Sequence, residues 1–351
     1  MLVDSPAESP PGQRAVAAPA SPARRAIRSF GLLVSVLILL VVVVASLAVG
    51  AKELPLEQVW HGLFDSSGTY GDVVVDERLA RTILGLLAGA ALGLAGAVLQ
   101  ALTRNPLADP GLLGINAGAS AAVVTAMTYF GITDLSGYVW FAFLGAAGVG
   151  ALVWFLGGSR GATPVRLALA GTAISAALYG YLQAVMIMDS AALGRMRFWT
   201  VGSLSSATDS TIGQVLPFIA AGTVLALALA RPLNAMAMGD DTARALGADL
   251  NRTRALSMLA ATVLCGAATA ACGPIVFVGL MVPHVVRSFT GPDLRWILPY
   301  AAILSPVLLL GADVLGRIAA RPAELQVGIV TAILGGPVFI LLVRRRRTAQ
   351  L

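Results

Sequence analysis

Apolar residues fill this chain in long blocks, and polar residues collect at their ends. The blocks fall at about 30–51, 79–102, 113–131, 137–157, 165–188, 210–230, 255–272, 275–290, 296–316 and 325–343. Most approach the roughly 20 apolar residues that carry a helix across a bilayer. Helices are the expected form, because lipid leaves unpaired backbone groups unsatisfied. The alternating pattern of a membrane barrel strand is not seen. Several blocks are short or broken by Gly and Pro, so their ends are loosely defined. The pattern predicts an all-α polytopic membrane protein of about ten transmembrane helices. One stretch departs from it: from Arg231 to Arg254 the chain stays polar and helix-prone. Gly239-Asp240-Asp241 reads as a helix start with acidic residues in the first turn. Ala243 to Leu246 continue as good helix formers, and Gly247 offers a break before a second short turn around Leu250. This is a compact polar elbow between two spans.

Composition supports the membrane reading. Of 351 residues 57% are hydrophobic and 12% charged, against about 25% charged in soluble domains, and the mean hydropathy is +0.83. The net charge is +6, and Lys52 is the only Lys among 24 basic residues. The Arg residues sit at block ends with no aromatic-lined basic groove, so the charge reports topology and no nucleic-acid partner is expected. With the N-terminus inside, 17 of the 24 basic residues fall on inner segments and 7 on outer ones. That excess follows the positive-inside rule and puts the elbow and both termini in the cytoplasm. Residues 1–29, rich in Pro, Ala, Ser and Arg, read as a disordered cytoplasmic tail. Residues 30–351 read as one ten-helix transmembrane domain carrying the elbow at 231–254. A cleavable signal peptide competes for the first block, but that block exceeds a ~7–15-residue signal core.

Little in the sequence suggests resident chemistry. Cys265 and Cys272 share one apolar block and read as small packing residues. His61 and His284 are far apart with no ligand cluster, so no metal site is expected. A P-loop needs Gly-Lys-Ser/Thr, whereas Lys52 lies in Ala-Lys-Glu. No cofactor is expected on this chain, and any ATP-driven work falls to a partner. Gly85, Gly89 and Gly93, with Gly96 nearby, allow close helix approach, most simply within one subunit. Gly89-Ala-Ala, Gly96, Pro106 and Gly114 recur 177 residues later as Gly266-Ala-Ala, Gly273, Pro283 and Gly291. With the two copies running in opposite directions, this suggests two inverted-repeat-like halves.

Three stretches carry a resemblance. They are Arg78-Leu-Ala-Arg81 with the Gly89 to Gln100 run and Arg104-Asn-Pro-Leu-Ala-Asp-Pro-Gly-Leu-Leu-Gly114; then Gly239-Asp-Asp-Thr-Ala-Arg-Ala-Leu-Gly247; then Gly273 to Arg287 with Ala312-Asp-Val-Leu-Gly-Arg317 and Glu324-Leu-Gln-Val-Gly328. In this order, over about residues 30–345, they resemble the FecCD family, the permease subunits of ABC importers for ferric siderophores, haem and vitamin B12.

The resemblance implies ten helices, a second permease forming a central pathway, two cytoplasmic ABC ATPases that use ATP, and an extracytoplasmic binding protein. It makes Gly239, Asp240, Asp241, Ala243, Arg244, Leu246 and Gly247 the ATPase-coupling helices. It casts Arg78, Arg81 and Arg317 as cations that meet acidic residues of the binding protein. Lipid headgroups are the plainer partner for these arginines, and Asp313, four residues before Arg317, can pair with it. Thr163, Pro164 and Val165 fall where the family's pathway narrows, although Pro164 and Val165 depart from its small hydroxyl residues. Ala80 and Gln326 stand where the family has Pro.

Asn105 and Leu107 lie in a Pro-interrupted connector that reads as a turn or as part of an inner gate. Gln100, Asn116 and Gln183 are polar candidates for the pathway or for bonds between helices. Ferric siderophore is the first substrate reading, with haem and cobalamin open. An ion-coupled secondary transporter fits less well, because ionisable residues are nearly absent inside the spans.

Overall fold

A computed structural model of the protein describes residues 22–50, 54–64, 70–158 and 164–348. Regular structure among the described residues is helical throughout. In chain order the helices are α1 Pro22–Ala48, α2 Leu56–Phe64, α3 Tyr70–Leu102, α4 Ile115–Tyr129, α5 Leu135–Gly158, α6 Pro164–Met188, α7 Ser190–Trp199, α8 Asp209–Ala228, α9 Ala230–Ala237, α10 Asp240–Ala245, α11 Leu250–Cys272, α12 Val278–Thr290, α13 Leu294–Ala319 and α14 Val327–Thr348. A 3-10 turn, Pro110–Leu113, leads into α4.

The bundle is built around α3. Its apolar stretch is 78% buried, as is that of α11, against 17% for α1 and α6. Its glycines explain why. A Cβ at Gly89 would stand 2.6 Å from the Pro306 Cα of α13, and one at Gly93 would stand 2.7 Å from the Ala301 carbonyl. At Gly96 it would run into the Gly279 backbone of α12. The glycine stripe therefore packs within the subunit, where helix backbones meet directly. Gly96→Ala is expected to destabilise the chain by about 1–3 kcal/mol through overpacking. Gly180→Ala on α6, with open space around it, is expected to be silent. Thermal unfolding in detergent separates the two.

Seven described helices are long and apolar enough to cross a membrane: α1, α3, α5, α6, α8, α11 and α13. Of the other three predicted blocks, two are shorter as helices and the third is a 22-residue helix with a shorter apolar part. Block 113–131 becomes α4, of 15 residues, and block 275–290 becomes α12, of 13. Block 325–343 becomes α14, whose apolar part is Val327–Leu341. The apolar run overstates α4 and α12 because the connectors before them are themselves partly buried: Pro110 and Leu113 before α4, Gly273 and Ile275 before α12. Non-helical backbone is tolerated at membrane depth where protein covers it.

Other boundaries differ too. Residues 22–29, read as tail, form the first turns of α1; residues 1–21 lie outside the described residues. The repeated motif occupies unlike places, since Gly96 lies within α3 and Gly273 caps α11, while Pro106 is in a connector and Pro283 is inside α12. Two short helices, α2 and α7, fall where no block was expected.

Candidate functional site

The elbow is two short helices, α9 and α10, hinged at Met238 and Gly239, where Gly239 takes φ 111°. Gly247, at φ 80°, ends α10 as expected. The anticipated second short turn around Leu250 is instead the start of α11, capped by the Asp249 side chain accepting from the Arg252 amide at 3.0 Å.

Polar bonds hold the elbow to the helices around it. The Asn234 amide of α9 donates to Asp293 at 2.7 Å and its carbonyl accepts from the Leu294 amide at 2.9 Å, fixing α9 to the start of α13. Asp240 accepts from Arg104 on one oxygen and from Arg254 of α11 on the other, the latter at 2.6 Å. Burial acts to raise the Asp240 pKa, but Arg104 and Arg254 together outweigh it and hold the carboxyl below its usual range. Ala243 is buried beneath α10. Asp241 and Arg244 pair with each other at 2.9 Å on the outside. Met238 and Leu246 are left 59% and 63% exposed, an apolar pair on an otherwise polar surface. The elbow is thus fastened by side-chain bonds and leaves two large apolar side chains exposed.

Arg104 also stands just past the end of the central helix, α3. From Arg81 to Arg104 the chain climbs 23 residues, about 35 Å at ~1.5 Å each, so α3 joins the elbow to the opposite end of the bundle. Beyond Arg104 the connector runs under α6. Asn105 Oδ1 accepts from the Leu107 amide at 3.0 Å and Asp109 from the Gly111 amide at 2.8 Å, so both shape turns. Between connector and α6 lies a cavity of about 340 Å³, lined by Leu99, Thr103, Asn105, Ala108, Asp109 and Leu113 on one side and Val165, Ala168, Leu169 and Thr172 on the other. Burial raises the Asp109 carboxyl to about 6, against the Gly111 N–H that favours its ionised form. The cavity thus brings together Asn105 and Val165, 60 residues apart in sequence. Leu107 is half-buried in the same connector. Pro164 opens α6; Thr163 lies outside the described residues.

α6 is widely exposed, and one line along it is of interest. Val165, Leu169, Thr172, Ala176, Gly180, Gln183 and Ile187 are all exposed, at helical spacings of three and four that place them on one face. Val165 and Gln183, singled out separately, sit on the same line about 27 Å apart at ~1.5 Å per residue. That is close to the depth of a bilayer's hydrocarbon core.

Asn116 and Gln100 are interior instead. Asn116 Oδ1 accepts from Thr269 at 3.0 Å and from the Cys265 thiol at 3.6 Å. Gln100 donates to the Leu280 carbonyl at 2.9 Å. Both tie helices together, away from the stripe.

At the far end the three predicted docking arginines are drawn into the chain. Arg78, 8% exposed, donates to the Leu47 and Ala48 carbonyls at 2.8 and 3.0 Å, the last carbonyls of α1. Arg81 donates to Asp313 at 2.7 Å and to Glu324 at 2.7 Å. Arg317, 1% exposed, pairs with Asp313 at 3.1 Å and donates to the Ser46 carbonyl at 2.9 Å. The Asp313–Arg317 pair anticipated from their spacing is present. The network underlies a depression of about 530 Å³ that also takes in Glu77, Ser205, Ser206 and Thr208. Sequence reasoning missed Glu324 as a partner of Arg81 and Asp240 as a partner of Arg104. Partners 243 and 136 residues apart leave no local signal.

The comparisons with known proteins agree with this architecture. The model of the FecCD transport family matches residues 38–345. The ferric enterobactin transport system permease protein FepD of Escherichia coli (strain K12) is 47% identical over 327 residues, 92% of this chain and 96% of that protein. The hemin transport system permease protein HmuU of Yersinia pestis is 36% identical over 324 residues, 90% of this chain and 96% of its own length. A solved chain described as an inward-facing conformation of a metal-chelate type ABC transporter superposes with a TM-score of 0.80 at 26% identity, covering 90% of this chain and 99% of that one.

Proposed function

The chain belongs to the FecCD transport family, and from that premise we propose that it is the membrane subunit of an ABC importer carrying a ferric-siderophore-type iron chelate into the cytoplasm. The observation that carries this reading is the elbow. It is a short, fastened helical platform with Met238 and Leu246 exposed at its tip, and such an element can pass on a rigid-body push where a loose loop cannot. Two cytoplasmic ABC ATPases, one beneath each permease, supply the push from ATP; this subunit is a conduit and performs no reaction itself. A second permease, identical or paralogous, covers the α6 stripe so that the pathway runs between the two chains. The Arg excess orients the elbow and both termini inward. In this reading α4, α12 and α14 complete ten crossings with the seven long helices.

An extracytoplasmic binding protein delivers the chelate at the far end. There the arginine network is the floor of the docking depression, with Glu324 and Glu77 at its rim and Arg78, Arg81 and Arg317 contributing a positive field from below. Ferric siderophore is preferred to haem because the enterobactin permease is the more similar of the two relatives, 47% against 36% identical. A haem chelate is the second reading.

Proteoliposomes holding this chain, a partner ABC ATPase and a binding protein test the proposal by uptake of ferric enterobactin, ferric citrate or hemin. ATP-dependent uptake of the first with none of hemin is the expected result. Hemin uptake alone would transfer the reading to haem, and no uptake despite a bound ATPase would end both. Within that assembly Leu246→Glu is expected to weaken ATPase co-purification about tenfold to thirtyfold, the scale of an interface hot spot. Its exposure means unfolding should not change. Undiminished ATPase association in this variant would remove the elbow from the coupling surface.

A further inference from the structure

Arg104 joins two features otherwise separate in the sequence, the elbow and the wall of the inner cavity. It lies two residues past the end of α3 and holds φ 50°, in the left-handed region. Residues with a Cβ rarely adopt that conformation, and it persists where surrounding contacts hold it. Here a single terminal nitrogen of its guanidinium donates to the Met236 carbonyl at 2.6 Å and to the Asp240 carboxylate. One bond reaches the last turn of α9 and the other the first residue of α10, so Arg104 grips both sides of the Gly239 hinge. The next residue, Asn105, already lines the cavity opposite Val165 and Thr172. One peptide link, about 3.8 Å between Cα atoms, separates the grip from the cavity wall.

The elbow's other fastenings lead elsewhere. Asn234 runs to Asp293 and Leu294 at the start of α13. Arg254 holds the same Asp240 carboxylate from α11, whose residues do not line the cavity. Arg104 is thus the one described fastening of the elbow that continues directly into the connector.

We propose that Arg104 is the positioning residue that converts displacement of the elbow into displacement of the 105–113 connector, and so opens and closes the cavity against α6. This rests on the permease reading above. A guanidinium suits the task because its fixed planar donors hold two acceptors in one geometry, whereas an ammonium is a point charge on a flexible stem. In this scheme Asp240 is the shared anchor: Arg254 keeps it seated on α11, and Arg104 reads its position.

The test uses the whole importer in proteoliposomes and measures chelate uptake and ATP hydrolysis side by side. Arg104→Ala is expected to keep ATPase co-purification and to hydrolyse ATP within about twofold of the parent, while uptake falls at least about tenfold, lowering the uptake-to-hydrolysis ratio, as a coupling defect requires. Arg104→Lys should recover part of that ratio. Arg254→Ala loosens the same carboxylate without touching the connector and should leave the ratio near that of the parent.

A parallel fall of uptake and hydrolysis in Arg104→Ala and Arg104→Lys would overturn the proposal and make Arg104 a plain anchor. An equal loss of ratio in Arg254→Ala would overturn it as well. Should Arg104→Ala fail to fold, Arg104→Lys against Arg254→Ala decides the same question. A parent chain that recruited no P-loop ATPase would instead overturn the permease reading, a failure visible before any variant is made.

Discussion

Asp313→Ala is expected to cost about 3–5 kcal/mol of stability, the scale for breaking a buried ion pair from one side. Asp313 is fully buried and receives two arginines, Arg81 through two bonds at 3.1 and 2.7 Å and Arg317 at 3.1 Å. Arg317 is nearly as buried and keeps only the Ser46 carbonyl and hydroxyl once Asp313 is gone. Arg81 and Arg317 share this one buried carboxylate, and of the two only Arg81 also reaches the partly exposed Glu324. Removing Asp313 therefore leaves the buried Arg317 guanidinium without its carboxylate. Asp313→Asn keeps the shape and an acceptor and should cost less, in the range of a charged hydrogen bond, about 1.5–3 kcal/mol. Unfolding of the purified subunit in detergent, followed by helicity, reads both. A cost below about 1 kcal/mol for Asp313→Ala, the scale of an exposed pair, would mean that water reaches these arginines and that the network does not hold this end of the bundle.

That result bears on how the arginines are understood. Arg78, Arg81 and Arg317 were legible in the sequence as a cationic group, through the three-residue spacing of the first two and the motif around the third. The sequence presents them as side chains free to meet another protein. In the fold each is already engaged by its own chain, because Arg78 caps the last carbonyls of α1 and the other two share Asp313. Only the Asp313–Arg317 pair is local enough to be seen in sequence, at four residues; Arg81 reaches across 232.

The elbow shows the same division. Its polarity, its acidic helix start and the break at Gly247 follow from local propensity, and all three are present. Its fastening to Arg104 and Arg254 depends on which helix ends meet, and no local pattern encodes that. The short helices α4 and α12 were misjudged for a physical reason. Hydropathy measures burial in anything apolar, and a connector covered by protein scores like one covered by lipid.

The α6 stripe joins both kinds of information and carries the second large effect. Val165 and Gln183 carry unrelated sequence signals, yet with Leu169, Thr172, Ala176, Gly180 and Ile187 they form an exposed line along the helix. Its composition is mixed: apolar at both ends, and small or polar through Thr172, Gly180 and Gln183. On the permease reading the exposed Gln183 amide faces a wet passage rather than hydrocarbon, where polar groups are costly, and the small residues leave width for a bulky chelate.

Thr172 lies on this line and also borders the inner cavity, and its hydroxyl is satisfied within the helix by the Ala168 carbonyl at 2.8 Å. Thr172→Trp therefore disturbs no packed neighbour, yet it places an indole at the border of the inner cavity, which on the permease reading lies on the pathway. Uptake in the reconstituted importer is expected to fall roughly 100-fold, as expected where pore width limits passage, with unfolding and ATPase association unchanged. Thr172→Ser should transport as the parent does. Retained uptake in the tryptophan variant would place the chelate's route off this face of α6, and the stripe would then be a surface for lipid or for the second permease alone.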